Sequence, residues 1–219
     1  MPASPDFSDM LLPLILAAGG GYLLGALPFG YLVARSRGVD IFSVGSKSPG
    51  ATNVRRVLGT GPGNTVFVLD ALKGAAAAGW PLLVVWQAVR ASGSPGILGY
   101  VGLAAALIGH SFSCFTGFKG GKGVATATGG LLVLMPYVTL VSSAIWVTVF
   151  YATRYVSLAS ILAAVSLPFL GYLFNRGALA LWVTSAVGAF VVIRHRSNIS
   201  RLLSGTEKRF ERKKPEEKP

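Results

Sequence analysis

The stretch GVATATGGLLVLMPYVTLVSSAIWVTVFYAT, residues 123–153, decides which kind of fold this chain adopts. Its 31 residues carry no charge, and Pro136 stands near the middle. A single helix of this length would measure about 46 Å, whereas the hydrocarbon core of a membrane is about 30 Å thick. Two helices meeting at Pro136 would have about 15 residues each, fewer than the ~20 that usually span a membrane. The stretch therefore predicts membrane helices, and the rest of the chain must decide how many.

The composition of the whole chain also indicates an integral membrane protein. Of its 219 residues, 52% are hydrophobic and only 13% are charged, and the mean hydropathy is +0.59. Soluble domains usually have about 25% charged residues. The formal net charge of +12 then indicates basic loops that face anionic lipid headgroups or anionic substrates, and not a nucleic-acid-binding protein. The single cysteine and the lack of His/Cys spacing typical of metal sites lead us to expect neither a metal nor another cofactor.

Windows with few or no charges predict the other membrane spans, because a charge at the centre of a bilayer costs about 2.5–3.5 kcal/mol. These windows are Met10–Ala34, Asn64–Val89, Pro95–Phe112, Tyr155–Phe174 and Gly177–Ile193. The first is interpreted as a retained span, since residues 1–9 have no basic residue and a secretory signal peptide starts with one.

The placement of the basic residues decides between six and seven spans. If residues 123–153 form two spans, 17 of the 20 lysines and arginines lie on the side of the carboxyl terminus, Lys73 lies near a membrane boundary, and only Arg90 and Arg176 lie opposite. Basic residues concentrate in cytoplasmic loops. The sequence thus predicts an all-α polytopic protein with seven transmembrane helices, its amino terminus outside and its carboxyl terminus cytoplasmic. Residues 1–205 are predicted to form a single integral membrane catalytic domain, and residues 206–219 a disordered basic cytoplasmic tail.

The loop TGFKGGKG, residues 116–123, has the composition of a phosphate-binding site. Glycines allow backbone N–H groups to approach an anion closely, and the start of a following helix adds a positive dipole. The residues that we predict to bind phosphate in this way are Lys119, Gly120, Gly121, Lys122 and Gly123. The alternative is a basic cytoplasmic hairpin whose small residues, with Gly129 and Gly130 after it, serve helix packing.

Two pairs of polar residues have the spacing of neighbours on one helical face. Asp70 and Lys73 are three residues apart within a span, where an ion pair makes each charge tolerable, and we interpret them as a structural pair. Asn53 and Arg56 are three apart in the loop GSKSPGATNVRRVLGTGPG, residues 45–63, and suit a polar substrate pocket. The alternative for this second pair is an ordinary basic cytoplasmic loop.

Histidines and serines near the ends of spans are further candidates. His110 directly precedes the loop of glycines and lysines, and Ser157 begins the segment SLAS. His195 and Asn198 are three apart in HRSNISRLL, which suits an interfacial helix. The alternative roles are structural: hydrogen bonding at a membrane boundary for the histidines, and helix capping or packing for the serine.

Three motifs, taken in order along the chain, resemble those of one family. They are GSKSPGATNVRR at 45–56, GHSFSCFTGFKGGKGVAT at 109–126 and SLAS at 157–160, accompanied by LDALKG at 69–74 and HRSNISRLL at 195–203. The chain thereby resembles the bacterial integral-membrane acyl-phosphate:glycerol-3-phosphate acyltransferases, the PlsY family, over about residues 22–214. The first motif of that family usually reads G-S-G-N-P-G, whereas this chain has Lys47 and Ser48 at the third and fourth positions.

The resemblance implies an enzyme of the bacterial inner membrane with its active site at the cytoplasmic face. Such an enzyme transfers a fatty acyl group from acyl phosphate to the 1-hydroxyl group of sn-glycerol 3-phosphate. The products are lysophosphatidic acid and phosphate, in the first acylation of bacterial phospholipid synthesis. The residues that the resemblance assigns to catalysis are Ser46, Lys122, His195 and Asn198. Those that it assigns to substrate binding are Asn53, Arg56, Lys119, Ser157 and His110.

Two other functions are compatible with a basic, glycine-containing membrane face. One is a transporter or channel for anions or phosphorylated metabolites, although no inverted repeat is visible. The other is a non-catalytic lipid-binding scaffold. Formation of lysophosphatidic acid by the purified protein separates these functions from the acyltransferase. The expected partners are the two substrates and membrane lipids, with no nucleic acid, and the sequence is compatible with a monomer.

Overall fold

The structure is a computed structural model and describes residues 7–83 and 96–210. Within those residues the regular secondary structure is entirely helical, which confirms the all-α prediction. The α-helices there are α1 (Phe7–Ala26), α2 (Phe29–Arg35), α3 (Ala51–Leu58), α4 (Thr60–Leu83), α5 (Gly96–Ser111), α6 (Val124–Leu134), α7 (Pro136–Thr153), α8 (Val156–Leu173), α9 (Gly177–Arg194) and α10 (Arg196–Leu203).

Six helical segments of the described chain are long and apolar enough to cross a membrane. They are Met10–Arg35, Thr60–Leu83, Gly96–Thr116, Pro136–Thr153, Val156–Leu173 and Gly177–Arg194. Helix α6 is also apolar but has only 11 residues, a length of about 16 Å. Arg90 and the predicted end of the second span at Val89 lie outside the described residues. The count of seven crossings stays a prediction.

The chain breaks between α6 and α7 at the proline in the middle of residues 123–153. Pro136 has no N–H group to donate to the preceding turn, and the residue before a proline avoids the helical conformation. Met135 accordingly has φ −144° and ψ 67°, and α7 begins at Pro136, a position where proline is favoured. Residues 123–153 therefore form two helices and not one long helix.

The contacts within the chain divide it into two units, residues 1–140 and 141–219. Each unit has its own set of packed helices. The single domain predicted over residues 1–205 stays a prediction.

In the first unit, α1 and α5 run parallel to each other. Gly21 lies against Gly102, and Gly25, one turn later in α1, lies against Ala106, one turn later in α5. A Cβ atom at Gly25 would overlap the carbonyl group of Ala106. The two backbones therefore approach as closely as small residues allow, which is the usual way for membrane helices to associate.

Helices α4 and α6 run in the opposite direction to α5. Gly99, in the first turn of α5, lies near Leu82 in the last turn of α4 and near Leu134, the last residue of α6. The carboxyl ends of α1 and α5 therefore share one end of the unit with the amino ends of α4 and α6. We call it the polar end of the first unit, because the connections 27–59 and 112–123 meet there. Gly129 lies against the Ala71 carbonyl group, so its small size serves the packing of α6 on α4.

In the second unit, α8 packs antiparallel to α7 and α9. Ser142 Oγ of α7 donates to the Ala163 carbonyl oxygen at 2.9 Å, and Trp146 Nε1, one turn later, donates to Ser160 Oγ at 3.0 Å. The connection 174–176 between α8 and α9 is short enough to require antiparallel neighbours. The carboxyl ends of α7 and α9 and the amino end of α8 thus form the polar end of the second unit, and α10 follows from it.

Residues 206–210 follow α10 and belong to the tail that was predicted to be disordered over residues 206–219, but two of them make contacts within the structure. Glu207 is buried, and the N–H group of Phe210 donates to the Arg154 carbonyl oxygen at 2.9 Å. Gly205, at φ 70°, ends the helix in the left-handed conformation that turns the chain back. Residues 211–219 lie outside the described part of the chain.

Candidate active site

A break between α1 and α2 shapes the polar end of the first unit. Pro28 cannot continue the hydrogen bonds of α1, so carbonyl groups before it become available to other donors. Ser113 Oγ donates to the Ala26 carbonyl oxygen at 2.5 Å, and Lys73 Nζ donates to that of Leu27 at 2.7 Å. The break thus brings an ammonium group from α4 and a residue from the loop after α5 to one place.

Asp70 and Lys73 are in contact at this place, as their spacing predicts. Lys73 Nζ lies 2.8 Å from Asp70 Oδ1, and the two side chains are only 3% and 4% exposed. Nζ also lies 5.5 Å from the centre of the Phe29 ring. Each charge makes the burial of the other tolerable. The contact has the distance of a charge-assisted hydrogen bond.

Gly120 and Gly121 close the glycine loop onto the carboxyl end of α5. The Gly121 N–H group donates to the His110 carbonyl oxygen at 3.1 Å, and Ser111 Oγ donates to the Gly121 carbonyl oxygen at 3.2 Å. A Cβ atom at Gly120 would overlap the His110 carbonyl group, and one at Gly121 would overlap the His110 ring. These glycines therefore have the packing role that was the alternative to phosphate binding, and phosphate binding by them stays a prediction.

The two lysines of the loop lie in different surroundings. Lys119 is exposed, whereas Lys122 is half-buried. Gly123 follows Lys122 with φ 81°, a left-handed conformation that starts α6 and that other residues rarely adopt. The start of α6 thus fixes the backbone directly beside Lys122.

A cleft lies between the helix break and the glycine loop, with about 240 Å³ of empty space including its mouth. Asp70 and Lys73 line its buried part, together with His110, and Lys119 lines its exposed part. Most of this space is open to solvent, and the enclosed part has room for a group of about the size of a water molecule.

Asn53 holds the loop of the first motif together from inside. Its Oδ1 accepts a hydrogen bond from the Ser46 N–H group at 2.8 Å, and its Nδ2 donates to the carbonyl oxygens of Val44 and Ser48 at 3.1 Å and 2.9 Å. The side chain is only 2% exposed, whereas Arg56 on the same helix is exposed. The amide group of Asn53 thus positions the backbone of Ser46, and the predicted substrate contact of Asn53 stays a prediction.

Lys47, one of the two departures from the family motif, has an unusual backbone conformation. Its φ of 53° lies in the left-handed region, which costs about 1–2 kcal/mol for residues other than glycine. A glycine, the usual residue of the family at this position, adopts that conformation without strain. Lys47 itself is exposed.

Glu207 joins three polar residues at the polar end of the second unit. Its Oε1 accepts hydrogen bonds from Ser157 Oγ at 2.8 Å and Asn198 Nδ2 at 2.7 Å, and its Oε2 accepts one from Arg201 Nε at 2.7 Å. Burial raises the pKa of the Glu207 carboxyl group, but these hydrogen bonds and the charge of Arg201 outweigh burial and hold the pKa below its usual value. The sequence analysis missed Glu207, and the signal for it is an acidic residue just after the helix-ending Gly205.

His195 is buried at the carboxyl end of α9. Its Nδ1 lies 2.8 Å from the Val191 carbonyl oxygen. A carbonyl oxygen only accepts, so Nδ1 carries the hydrogen and, in the neutral ring, Nε2 carries the lone pair. Ser157 and Asn198 meet through Glu207 at the same end of this unit.

The chain matches the family model described as glycerol-3-phosphate acyltransferase over residues 15–205. It belongs to the glycerol-3-phosphate acyltransferase family. A relative of that name from Fusobacterium nucleatum subsp. nucleatum is 44% identical over 190 residues, which cover 86% of this chain and 94% of the relative. Another from Aquifex aeolicus is 45% identical over 190 residues, covering 86% and 95%.

Two solved structures of PlsY (YgiH), an integral membrane glycerol 3-phosphate acyltransferase, are similar to this member of the family. The glycerol 3-phosphate form has a TM-score of 0.82 and 41% identity, covering 90% of this chain and 96% of that one. The lysophosphatidic acid form has a TM-score of 0.80 and 40% identity, covering 90% and 95%. The resemblance found in the sequence motifs is confirmed, and with it an integral membrane acyltransferase of phospholipid synthesis.

Proposed function

We propose that this acyltransferase takes a fatty acyl group from acyl phosphate and transfers it to the 1-hydroxyl group of sn-glycerol 3-phosphate. The products are lysophosphatidic acid and inorganic phosphate. The glycerol 3-phosphate and lysophosphatidic acid forms of the related PlsY support the acceptor and the product. The observation that carries the proposal is the match to the family over residues 15–205, which includes the glycine loop and Lys119 at the polar end of the first unit.

The side chains of the family motifs supply the contacts to the substrates in this proposal. The catalytic residues are Ser46, Lys122, His195 and Asn198. The substrate-binding residues are Asn53, Arg56, Lys119, Gly120, Gly121, Gly123, Ser157 and His110. Asn53, Gly120 and Gly121 also position the loops that carry these groups. Cations near phosphate groups stabilise the negative charge that grows on the leaving phosphate.

The transfer proceeds in a single step. Acyl phosphate is a mixed anhydride, so its carbonyl carbon is already activated and positioning of the acceptor supplies much of the catalysis. The 1-hydroxyl oxygen attacks this carbon, the ester bond forms, and the bond from the carbonyl carbon to the phosphate oxygen breaks. The hydroxyl proton passes to a substrate phosphate, since the second pKa of a phosphate group is about 6. His195 and Asn198 position the substrates and take up no proton.

The active face lies on the cytoplasmic side of the bacterial inner membrane in this proposal, with seven crossings and the amino terminus outside. The charge distribution supports it, as does α6, which reaches from the polar end of the first unit to Gly99 at the opposite end of α5. Single cysteines at positions 119 and 209, introduced after Cys114→Ala, test the orientation. Labelling of either position by an impermeant reagent outside intact cells would contradict it.

The donor is tested with the purified full-length protein in detergent micelles. Palmitoyl phosphate and glycerol 3-phosphate should yield lysophosphatidic acid and one equivalent of phosphate. Palmitoyl coenzyme A in place of palmitoyl phosphate should yield none. Activity with the thioester alone would overturn the proposed donor and leave the membership of the family unchanged.

The single-step mechanism is tested by omitting the acceptor. No labelled acyl group should remain on the protein after incubation with acyl phosphate, and Cys114→Ala, at an exposed thiol, should keep most of the activity. A covalent acyl-protein found by mass spectrometry contradicts the mechanism. A loss of about 10²–10⁴-fold in His195→Ala with loss of the acidic limb of the pH profile would make His195 the general base.

A further inference from the structure

Two arginines lie over aromatic rings at the polar end of the second unit. The Cζ atom of Arg154 lies 5.8 Å and 5.9 Å from the centres of the Phe150 and Tyr151 rings, and that of Arg209 lies 5.1 Å from the centre of the Tyr155 ring. Such a contact uses the face of a guanidinium group, so the N–H groups in its plane can still donate to an anion. Neither arginine makes a salt bridge with a carboxylate of the described residues.

Both arginines stand where the headgroup layer of a membrane would lie. Arg154 lies between Pro136–Thr153 and Val156–Leu173, two segments that are long and apolar enough to cross a membrane. The hydrogen bond from the Phe210 N–H group to the Arg154 carbonyl oxygen, at 2.9 Å, brings Arg209 to the same boundary. Tyrosines concentrate at membrane–water interfaces and basic residues in the adjacent cytoplasmic loops, next to the phosphate groups of the lipids.

The backbone of Arg154 gives a second reason to expect a binding role. Its φ of 64° lies in the left-handed region, which glycine and asparagine adopt readily and which strains an arginine. Either of those residues would make the turn between α7 and α8 with less strain. Strained residues are concentrated at sites that bind ligands. The requirement at this position is therefore for the side chain of the arginine and not for the turn.

We propose that Arg154 and Arg209 bind the phosphodiester headgroup of an anionic membrane phospholipid, of the type of phosphatidylglycerol. Guanidinium groups donate paired hydrogen bonds to phosphate oxygens. A zwitterionic headgroup also carries a cation, which two arginines repel, so the site prefers a net negative charge. The bound headgroup connects the turn at Arg154 with residues 206–210. Lipid binding therefore stabilises the hydrogen bonds that Glu207 accepts within that segment.

The test measures the melting temperature of the full-length protein in micelles of an uncharged detergent. Dioleoylphosphatidylglycerol, at several times its dissociation constant, should raise the melting temperature by about 2–5 °C. Dioleoylphosphatidylcholine, which has the same acyl chains and no net charge, should raise it by less than half as much. Salt at about 0.5 M should reduce the difference between the two lipids, because it screens charges at an exposed site. Glycerophosphoglycerol, the headgroup without its chains, should give no shift at the same concentration.

Variants connect the difference between the two lipids to the two arginines. Arg154→Asn removes a charge and suits the left-handed backbone, and Arg209→Gln removes the charge of an exposed side chain. Each should reduce the difference by about half, and the double variant should abolish it. Arg37→Gln, at an exposed arginine of the first unit, is the matched control and should keep the full difference. If Arg154→Asn does not fold, Arg209→Gln alone still decides the test.

Four results would overturn the proposal. Equal shifts with the two lipids would exclude a preference for anionic headgroups. A difference that persists in Arg209→Gln and the double variant, or that falls as much in Arg37→Gln, would exclude this site. A shift with glycerophosphoglycerol as large as that with the lipid would make the ligand a free phosphate ester and not a membrane lipid. No acyl donor and no turnover enter the measurement, so a failure of the proposed function leaves its result unchanged.

Discussion

The polar ends of the two units are stabilised by opposite means. In the first unit, Gly120 and Gly121 lie against His110, where no side chain fits on the glycines. In the second unit, one side chain, Glu207, accepts hydrogen bonds from three others. At the two glycines, the packing of the first end requires that no side chain is present. The second end requires the charge of the Glu207 carboxylate. Added atoms should therefore damage the first end, and removal of a charge should damage the second.

The largest effect is expected from Lys122→Ala, which removes a cation from the first end without adding atoms. If this end binds phosphate, kcat/KM should fall about 10²–10³-fold, as for the loss of one group that stabilises developing charge. The melting temperature in micelles should stay the same, because packing there depends on the glycines. Lys208→Ala, at an exposed position of the second unit, is the control. Near-normal kcat/KM in Lys122→Ala would leave the first end with a packing role only.

A loss of stability comparable to that of Glu207→Ala is expected from Gly121→Ala, because its Cβ atom would overlap the His110 ring. Such overpacking usually costs about 1–3 kcal/mol. The double variant Gly121→Ala/His110→Ala should recover much of the thermal stability in micelles, since the ring is then gone. Gly61→Ala is the control, as no atom lies within 4 Å of its Cβ position. An unchanged melting temperature in Gly121→Ala with a raised KM for glycerol 3-phosphate would support the phosphate-binding role instead.

Glu207→Ala tests the second end in the same assay. It leaves buried donors on Ser157 and Asn198 without their acceptor, at a cost of about 2–3 kcal/mol of unfolding free energy. Glu207→Gln keeps the size and one acceptor oxygen but removes the charge, so its loss should be smaller. The melting temperatures of both variants in micelles measure these losses. If Glu207→Ala has the same melting temperature as the unmodified protein, the three hydrogen bonds contribute nothing to stability.

The pH dependence of stability should carry a contribution from Glu207. Its pKa is lower in the folded protein than in the unfolded chain, where it is near 4.5. Its contribution is therefore fully present above about pH 5 and is lost as the pH falls through the folded pKa. The melting temperature of the unmodified protein should fall more steeply below about pH 5 than that of Glu207→Gln. Parallel curves for the two proteins would contradict a lowered pKa.

The smallest effect is expected from Lys47→Gly, which removes backbone strain and an exposed charge from the connection 27–59. Its φ of 53° favours glycine, so the variant should gain about 0.5–1 kcal/mol. Lys47→Ala keeps the strain and is the matched control. A difference between the two variants in thermal unfolding separates backbone strain from loss of the charge, and equal stabilities would argue against strain.

The membrane class and the helix break at Pro136 were predictable from the sequence, whereas the break at Pro28 was not predicted. Long uncharged windows exclude a soluble fold, because charges are costly within a membrane. Pro136 ends α6 through its own ring and its missing N–H group, so the break needs no distant partner. The contact of Asp70 with Lys73 also follows from local geometry, since residues three apart on a helix are neighbours.

The partners of the site residues were decided by the tertiary structure. Lys73 donates to Leu27, 46 positions earlier, and Ser157 donates to Glu207, 50 positions later. The periodicity of a helix gives no information about such pairs, because they depend on which helix ends meet. The direction of packing in each unit, set by contacts such as Gly99 with Leu134, brings those ends together.

The sequence by itself determined the residue types of the active face: lysines, glycines, an asparagine and histidines in motifs of one family. The tertiary structure decided what each one contacts. Asn53 is used to hold the loop of Ser46, Gly120 and Gly121 pack on α5, and the carboxylate of Glu207 is buried. The physical reason is that polar groups in a buried place must find partners, and the available partners are known only when the helices have packed.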